Sequence, residues 1–123
     1  MTKEEKDLLL KDLCGRLPYG VKAEKYTIRM DGEIVPHANI ETVTVKDLIA
    51  QKDCPGYIIK PYLLPLSSMT EEQKDEFDRL YTYDALIVEP QWELIDFCNK
   101  HHLDYRGLIP MGLANDATNL NIY

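Results

Sequence analysis

Apolar residues recur at helical spacing near the start of the chain and predict an opening helix. Thr2 and Glu5 have the spacing of a capping box, in which a hydroxyl and a carboxylate each bind a free backbone N–H group at the start of a helix. The apolar stripe that follows consists of Leu9, Leu10, Leu13 and Cys14. Gly15 tolerates the left-handed conformation that often follows a last helical turn, so we expect the helix to end there.

Two further helices are predicted in the second half of the chain. One begins at a capping box of Thr70 and Gln73, and its buried stripe consists of Phe77, Leu80 and Tyr81. The other begins at Pro90, because proline is favoured in a first helical turn. Its apolar side consists of Leu94, Ile95, Cys98 and His102. The intervening residues, Asp84 to Val88, form either a strand or a helical segment that leads into the next helix, and a strand is favoured.

Alternation of apolar and polar residues predicts a β-hairpin over Tyr26–Val35. Asp31 and Gly32 form its turn, because both residues tolerate the positive φ of a two-residue hairpin loop. The apolar residues before Glu24 are out of phase with those after it, which predicts a bulge near that residue.

The remaining patterns complete an α+β fold. Residues 40–43 have the pattern of a third strand, and Thr44 and Asp47 have the spacing of a capping box at the start of a short helix. Residues 57–65 are predicted to be extended, because two prolines exclude a helix there. Lys60–Leu66 is rigid and apolar, and a buried connector is favoured there over a docking segment. We expect one domain over residues 1–123: a small antiparallel sheet with a β-hairpin, packed by about three helices, and an irregular tail from about residue 112.

The charge of −7 is unevenly distributed. Residues 1–66 carry ten basic and ten acidic side chains, whereas residues 67–123 carry four basic and eleven acidic ones. No basic face for direct contact with nucleic-acid phosphates is evident, and an anionic membrane surface would repel the chain. The acidic half forms either a solvated face or a negative surface for a basic protein partner. Its predicted surface residues are Glu71, Glu72, Asp75, Glu93 and Asp96.

Cysteine usage and the N-terminal sequence predict a cytoplasmic protein. Cys14, Cys54 and Cys98 are odd in number and widely spaced, which does not suggest a disulfide framework. The first residues lack the apolar core of a signal peptide, and the apolar runs are too short to span a membrane.

The densest polar cluster lies at the end of the third predicted helix and contains a candidate binding site. It begins with Cys98, and its candidate binding residues are His101, His102, Asp104, Tyr105 and Arg106. One interpretation makes Cys98 and His102 zinc ligands or a nucleophile–base pair, and another makes a histidine a general base. The favoured interpretation is structural: Cys98 lies in the core, the histidines interact with the end of the helix, and Arg106 bridges an acidic neighbour. We therefore assign no catalytic residue, no metal and no cofactor.

Three segments carry a resemblance to known sequences. They are residues 17–21 (LPYGV), 60–70 (KPYLLPLSSMT) and 99–109 (NKHHLDYRGLI). Together they resemble a group of small uncharacterised proteins of gut anaerobic bacteria and their prophages or phages. The resemblance extends along most of the chain and is loose between residues 23 and 54. It implies a bacterial cytoplasm and a mobile-element context, and it implies no activity.

The sequence thus favours a non-enzymatic binding or accessory protein that contacts a protein partner through its acidic C-terminal half. The alternative is a small enzyme with a site around His101–Arg106. It predicts a cleft that joins His101 or His102 to Tyr19, Tyr105 and Arg106. A third class, a structural subunit of a larger assembly, predicts a large exposed apolar patch or a stable homo-oligomer.

Overall fold

The computed structural model describes residues 1–37, 39–86 and 92–123, and it confirms the α+β fold. Within these residues there are four helices and five strands. The helices are α1 (Lys3–Arg16), α2 (Val45–Asp53), α3 (Glu71–Leu86) and α4 (Trp92–Lys100). The strands are β1 (Lys22–Ile28), β2 (Ile34–Pro36), β3 (Glu41–Thr42), β4 (Tyr57–Leu63) and β5 (Asn115–Asp116).

The sheet is built around strand β1. Strand β4 pairs antiparallel with one edge of β1, and β2 and β3 share the other edge. The predicted hairpin is confirmed, with Thr27 opposite Val35. Its turn is longer than expected: the Gly32 N–H group donates to the Arg29 carbonyl at 2.9 Å, and only Gly32 of the two turn residues has a positive φ, of 86°. Strand β5 pairs parallel to β4, so the sheet is mixed.

Helix α1 begins as predicted and ends later. The capping box is present, since Glu5 N donates to Thr2 Oγ1 at 3.1 Å and Thr2 N donates to Glu5 Oε1 at 3.0 Å. The prediction that Gly15 ends the helix is wrong. A Cβ atom at Gly15 would lie 3.0 Å from Asn99 Nδ2, so the glycine allows helix α4 to approach α1 closely. After α1 the chain forms a 3₁₀ turn, and the glycine that adopts the left-handed conformation there is Gly20, with a φ of 70°.

The predicted bulge near Glu24 is wrong, because strand β1 pairs without interruption with β4 from Ala23 to Thr27. The phase of the apolar residues changes for a different reason. Lys25 occupies a position on the core face, where its ammonium group lies 2.8 Å from Glu41 and 2.9 Å from Asp47. An ion-paired lysine thus replaces an apolar residue, and its neighbours Glu24 and Tyr26 lie on the opposite face of the sheet.

For helices α3 and α4, the structure confirms one prediction and contradicts two. The Thr70–Gln73 capping box is present. However, α3 continues to Leu86, so the prediction of a strand is wrong for residues 84–86. The rest of that predicted strand, residues 87 and 88, lies outside the described residues, and so does the predicted helix start at Pro90. Tyr81, predicted to be buried, is exposed.

The core has two parts. The first lies between α1 and one face of the sheet, and its members include Leu9, Leu13, Ala23, Ile59 and Leu63. The second lies between α3, α4 and the chain that follows α4, and its members include Leu80, Leu94, Phe97, Cys98 and Leu103. Among the described residues, no helix combines the length and the apolar character needed to cross a bilayer.

Candidate functional site

The predicted polar cluster is divided among several structural contacts. Arg106 Nε donates to Asp12 Oδ1 at 3.2 Å, which confirms that Arg106 bridges an acidic neighbour. The same carboxylate accepts from Arg16 Nε at 2.7 Å, and the Arg16 and Asp12 side chains are both 0% exposed. The Tyr105 ring lies against both cations, with the guanidinium carbons of Arg16 and Arg106 at 5.2 Å and 5.0 Å from its centre. These contacts fix the ring of Tyr105.

Asp104 binds the backbone of the turn that follows it. Its carboxylate oxygens accept from the N–H groups of Leu108 at 2.8 Å and Ile109 at 2.9 Å. The side chain is buried, so both oxygens face protein donors. Asp104 therefore holds the chain after α4 in place.

The two histidines point in different directions. His101 packs against Phe97, with ring centres 4.6 Å apart, and its Nδ1 lies 3.3 Å from Gln73 Nε2. His102 has a positive φ of 59° and stacks on Tyr123, with ring centres 3.5 Å apart. Burial lowers the pKa of His102 to about 4, with a further contribution from the positive charge of Arg16. Each imidazole ring therefore packs against an aromatic side chain.

Cys98 is buried in the core, as the favoured interpretation expected. Burial raises the pKa of its thiol to about 11, so the reactive thiolate is disfavoured at neutral pH. In the part of the chain that the structure describes, no group of three or more His, Cys, Asp or Glu side chains is placed to hold a metal ion.

All five predicted acidic surface residues are exposed. Glu71, Glu72 and Asp75 lie on helix α3, and Glu93 and Asp96 lie on α4. Two of the acidic side chains on α3 have local partners: Glu71 lies 3.6 Å from Lys74, and Glu76 binds Arg79 through both oxygens. The negative surface is therefore carried mainly by the other carboxylates of the two helices.

An apolar groove lies between helices α3 and α4 and was not predicted. Its volume is about 210 Å³. Its lining consists of Leu66, Phe77, Tyr81, Leu94, Ile95, Cys98 and Tyr105. Two of these, Tyr81 at 56% and Ile95 at 38%, are exposed, and Trp92 one helical turn before Ile95 is 67% exposed. Two members of the predicted polar cluster, Cys98 and Tyr105, line the groove.

A second cluster that the sequence did not predict lies on the sheet face opposite α1. The Glu24 carboxylate accepts from the hydroxyls of Tyr26 and Tyr62 and from the Asn115 amide, the last two at 2.6 Å and 2.8 Å. Hydrogen bonds from Tyr26 and then Tyr62 lower the pKa of Glu24, and the bond to Glu24 raises the pKa of Tyr26 to about 12. In the sequence, only the alternation of Glu24 and Tyr26 on strand β1 indicated that these two side chains share a face of the sheet. Nothing indicated that Tyr62 of β4 and Asn115 of β5 would join them.

The Glu24 cluster holds strands together. Its members come from β1, β4 and β5, and each bond of the carboxylate to Tyr62 or Asn115 crosses between strands. All three donors are occupied by the carboxylate, so the cluster is best explained as the polar link that fixes β5 to the sheet.

Comparison with known proteins returned no match to a protein-family model, a curated protein or a solved structure.

Proposed function

We propose that this chain is a non-enzymatic docking protein that binds a basic segment of a protein partner through the surface of helices α3 and α4. The observation that carries the proposal is the apolar groove between these helices, which is open to solvent beside exposed carboxylates. Trp92, Tyr81 and Ile95 supply exposed apolar area at this surface. Tryptophan and tyrosine are the residue types that most often dominate binding energy at protein interfaces.

The size and chemistry of the groove favour a docking role over catalysis. Sites for small molecules of drug size usually enclose about 300–1,000 Å³, which is more than this groove provides. The groove is lined mainly by hydrocarbon, and its one thiol has a raised pKa. Neither His101 nor His102 lines it. The groups that the enzyme alternative requires therefore do not converge at this cavity.

The charge of the two helices indicates the chemistry of the partner. Residues 71–82 and 92–100 contain seven acidic and three basic side chains. A surface of this sign raises the rate of association with a basic partner and disfavours nucleic acid. A basic protein segment with apolar side chains satisfies both the carboxylates and the groove.

Affinity capture with matched variants tests the proposal. The natural chain, Ile95→Glu and Trp92→Ala are compared with Ile49→Glu, which makes the same change at another exposed isoleucine, on helix α2 (56% exposed, against 38% for Ile95). We expect a partner that is retained by the natural chain and Ile49→Glu, is lost with both α4 variants, and is released by high salt. A partner that binds Ile95→Glu as well as the natural chain, or that ignores salt, would refute the proposal. Circular dichroism of each variant checks that it is folded.

A reducing compartment is part of this proposal. Cys14 and Cys54 are exposed free thiols, and Cys98 is free and buried. Exposed free thiols persist where glutathione and thioredoxin keep them reduced, which supports the cytoplasm as the site of action.

A further inference from the structure

We infer that the groove between α3 and α4 accepts one aromatic side chain of the partner, and that this anchor is flanked by lysine or arginine. The inference rests on the proposed function and specifies its ligand. The volume supports a single anchor: an apolar cavity of about 150 Å³ is sufficient for one benzene molecule, and this groove measures about 210 Å³. Two large side chains would not fit together.

The lining of the groove favours an aromatic anchor. Phe77, Tyr81 and Tyr105 contribute three rings, and Cys98 contributes a polarisable sulfur atom. The Phe77 and Tyr81 rings are nearly parallel, at 10°, with their centres 6.4 Å apart. Such rings leave edges and faces toward the groove, and an inserted ring gains offset or edge-to-face contacts beyond simple burial.

The groove is held in shape before a partner arrives. The ring of Tyr105 contacts the guanidinium groups of Arg16 and Arg106, and both of these are bound to the buried Asp12 carboxylate. Phe77 also contacts Phe97 of α4, at 6.5 Å between ring centres. A lining with fixed side chains loses little conformational entropy on binding, so a single anchor contributes most of its burial to affinity.

One carboxylate at the side of the groove and the net charge of the two helices account for the basic flanks. Asp78 is exposed and lies three residues before the groove residue Tyr81, which places the two side chains next to each other on the surface of α3. Asp78 has no ion-pair partner within 4.0 Å among the described residues, whereas Glu71 and Glu76 on α3 do. Lysine or arginine next to the anchor would therefore meet the carboxylate of Asp78 and the excess of acidic side chains on both helices.

Short synthetic peptides test the inference directly. The probe carries one phenylalanine between pairs of lysines, and three matched peptides replace the phenylalanine with leucine, the phenylalanine with alanine, or the lysines with glutamate. Binding to the full chain is followed by NMR titration. We expect the phenylalanine peptide to bind about ten- to a hundredfold more tightly than the alanine peptide, with leucine between them. The largest shifts should lie at Ile95, Cys98 and Tyr105.

Variants of the protein separate the flanks from the anchor. Asp78→Asn should weaken binding of the lysine peptide several-fold at low salt, whereas Asp7→Asn, the same charge change at an exposed position on α1, should not. Equal affinity for the phenylalanine and alanine peptides, tighter binding of the glutamate peptide, or shifts away from the groove would each overturn the inference.

The two proposals fail in different ways. A captured partner whose binding depends on Ile95, but whose segment lacks an aromatic anchor or basic flanks, refutes this inference and leaves the docking function standing. If captured partners do not depend on Ile95 or Trp92, the docking function itself is refuted. Ile95→Ala serves as a milder variant should Ile95→Glu unfold, since Ile95 is only 38% exposed.

Discussion

The Asp12 carboxylate, which is 0% exposed, accepts a hydrogen bond at 3.2 Å from Arg106, far along the chain. Through this contact the end of helix α1 is joined to the segment after α4. Arg16 completes the network, because it binds Asp12 and also donates to the Leu103 carbonyl at 2.7 Å. A buried ion pair of this kind is costly to break, since removal of one partner leaves the other charged and unpaired.

Replacement of Asp12 should therefore be strongly destabilising. We expect Asp12→Ala to lower the free energy of unfolding by about 3–5 kcal/mol, measured by urea denaturation. Asp7→Ala, an exposed substitution on the same helix, should change it by less than about 0.5 kcal/mol. In the double variant Asp12→Leu/Arg16→Leu the fully buried cation is removed together with its partner, and only Arg106, whose side chain is 22% exposed, loses an ion pair, so much of the loss should be recovered. If the double variant is no more stable than Asp12→Ala, the stranded charge is not the cause.

Glu24 should make stability depend on acid. Because hydrogen bonds from Tyr26 and Tyr62 lower its pKa below the ordinary 4.5, its ionised form is favoured in the folded state. The contribution is fully present above pH 4.5 and is lost as the pH falls through the lowered pKa. Glu24→Gln should cost about 1–2 kcal/mol at neutral pH and reduce the loss of stability in acid. Glu4→Gln, an exposed change, should leave the acid dependence as it is; a similar response of both variants would contradict this account.

Local interactions explain which parts of the fold were predictable. The three capping boxes, such as that of Thr2 and Glu5, join residues three apart and were recognised from spacing alone. Lys25 was not assigned to the core face, because its partner Asp47 is distant in sequence. For the same reason Gly15 was taken for a helix end, since only the contact with Asn99 shows its role in packing.

The candidate site was also predictable only where it depends on local sequence. The exposed carboxylates could be placed by composition and helical period. The groove could not, because it depends on how α3 and α4 pack and on Tyr105, which reaches it from the segment after α4. Tyr81 was predicted to be buried, and Ile95 was placed on the apolar side of its helix. In the structure both line the groove and are exposed.

His102 should weaken the fold in mild acid. Burial lowers its pKa to about 4, whereas in the unfolded chain it titrates near its ordinary value of 6.5. Between these values the unfolded state binds the proton and the folded state does not, so stability falls as the pH drops from about 6.5 to about 4. NMR titration of the His102 ring should give an apparent pKa near 4. His102→Asn, which tolerates the positive φ and does not titrate, should reduce the dependence on pH in this range, although loss of the stack on Tyr123 lowers stability overall. A ring that titrates near 6.5 would contradict the buried, neutral state.

Cys98 should react far more slowly with disulfide reagents than the two exposed cysteines. With a pKa of about 11 in place of the ordinary 9.0, its thiol forms about a hundredfold less thiolate at pH 8, and burial restricts access further. A chromogenic aryl disulfide should therefore show two fast thiols and one slow thiol in the folded chain, and three fast thiols in denaturant. Cys98→Ala should remove the slow phase alone; three equal rates in the folded chain would contradict the burial of Cys98.

In a Cys14→Ser/Cys54→Ser chain the same reaction reports on the groove, because Cys98 lines it. The phenylalanine peptide should slow the reaction further, and the alanine peptide should not.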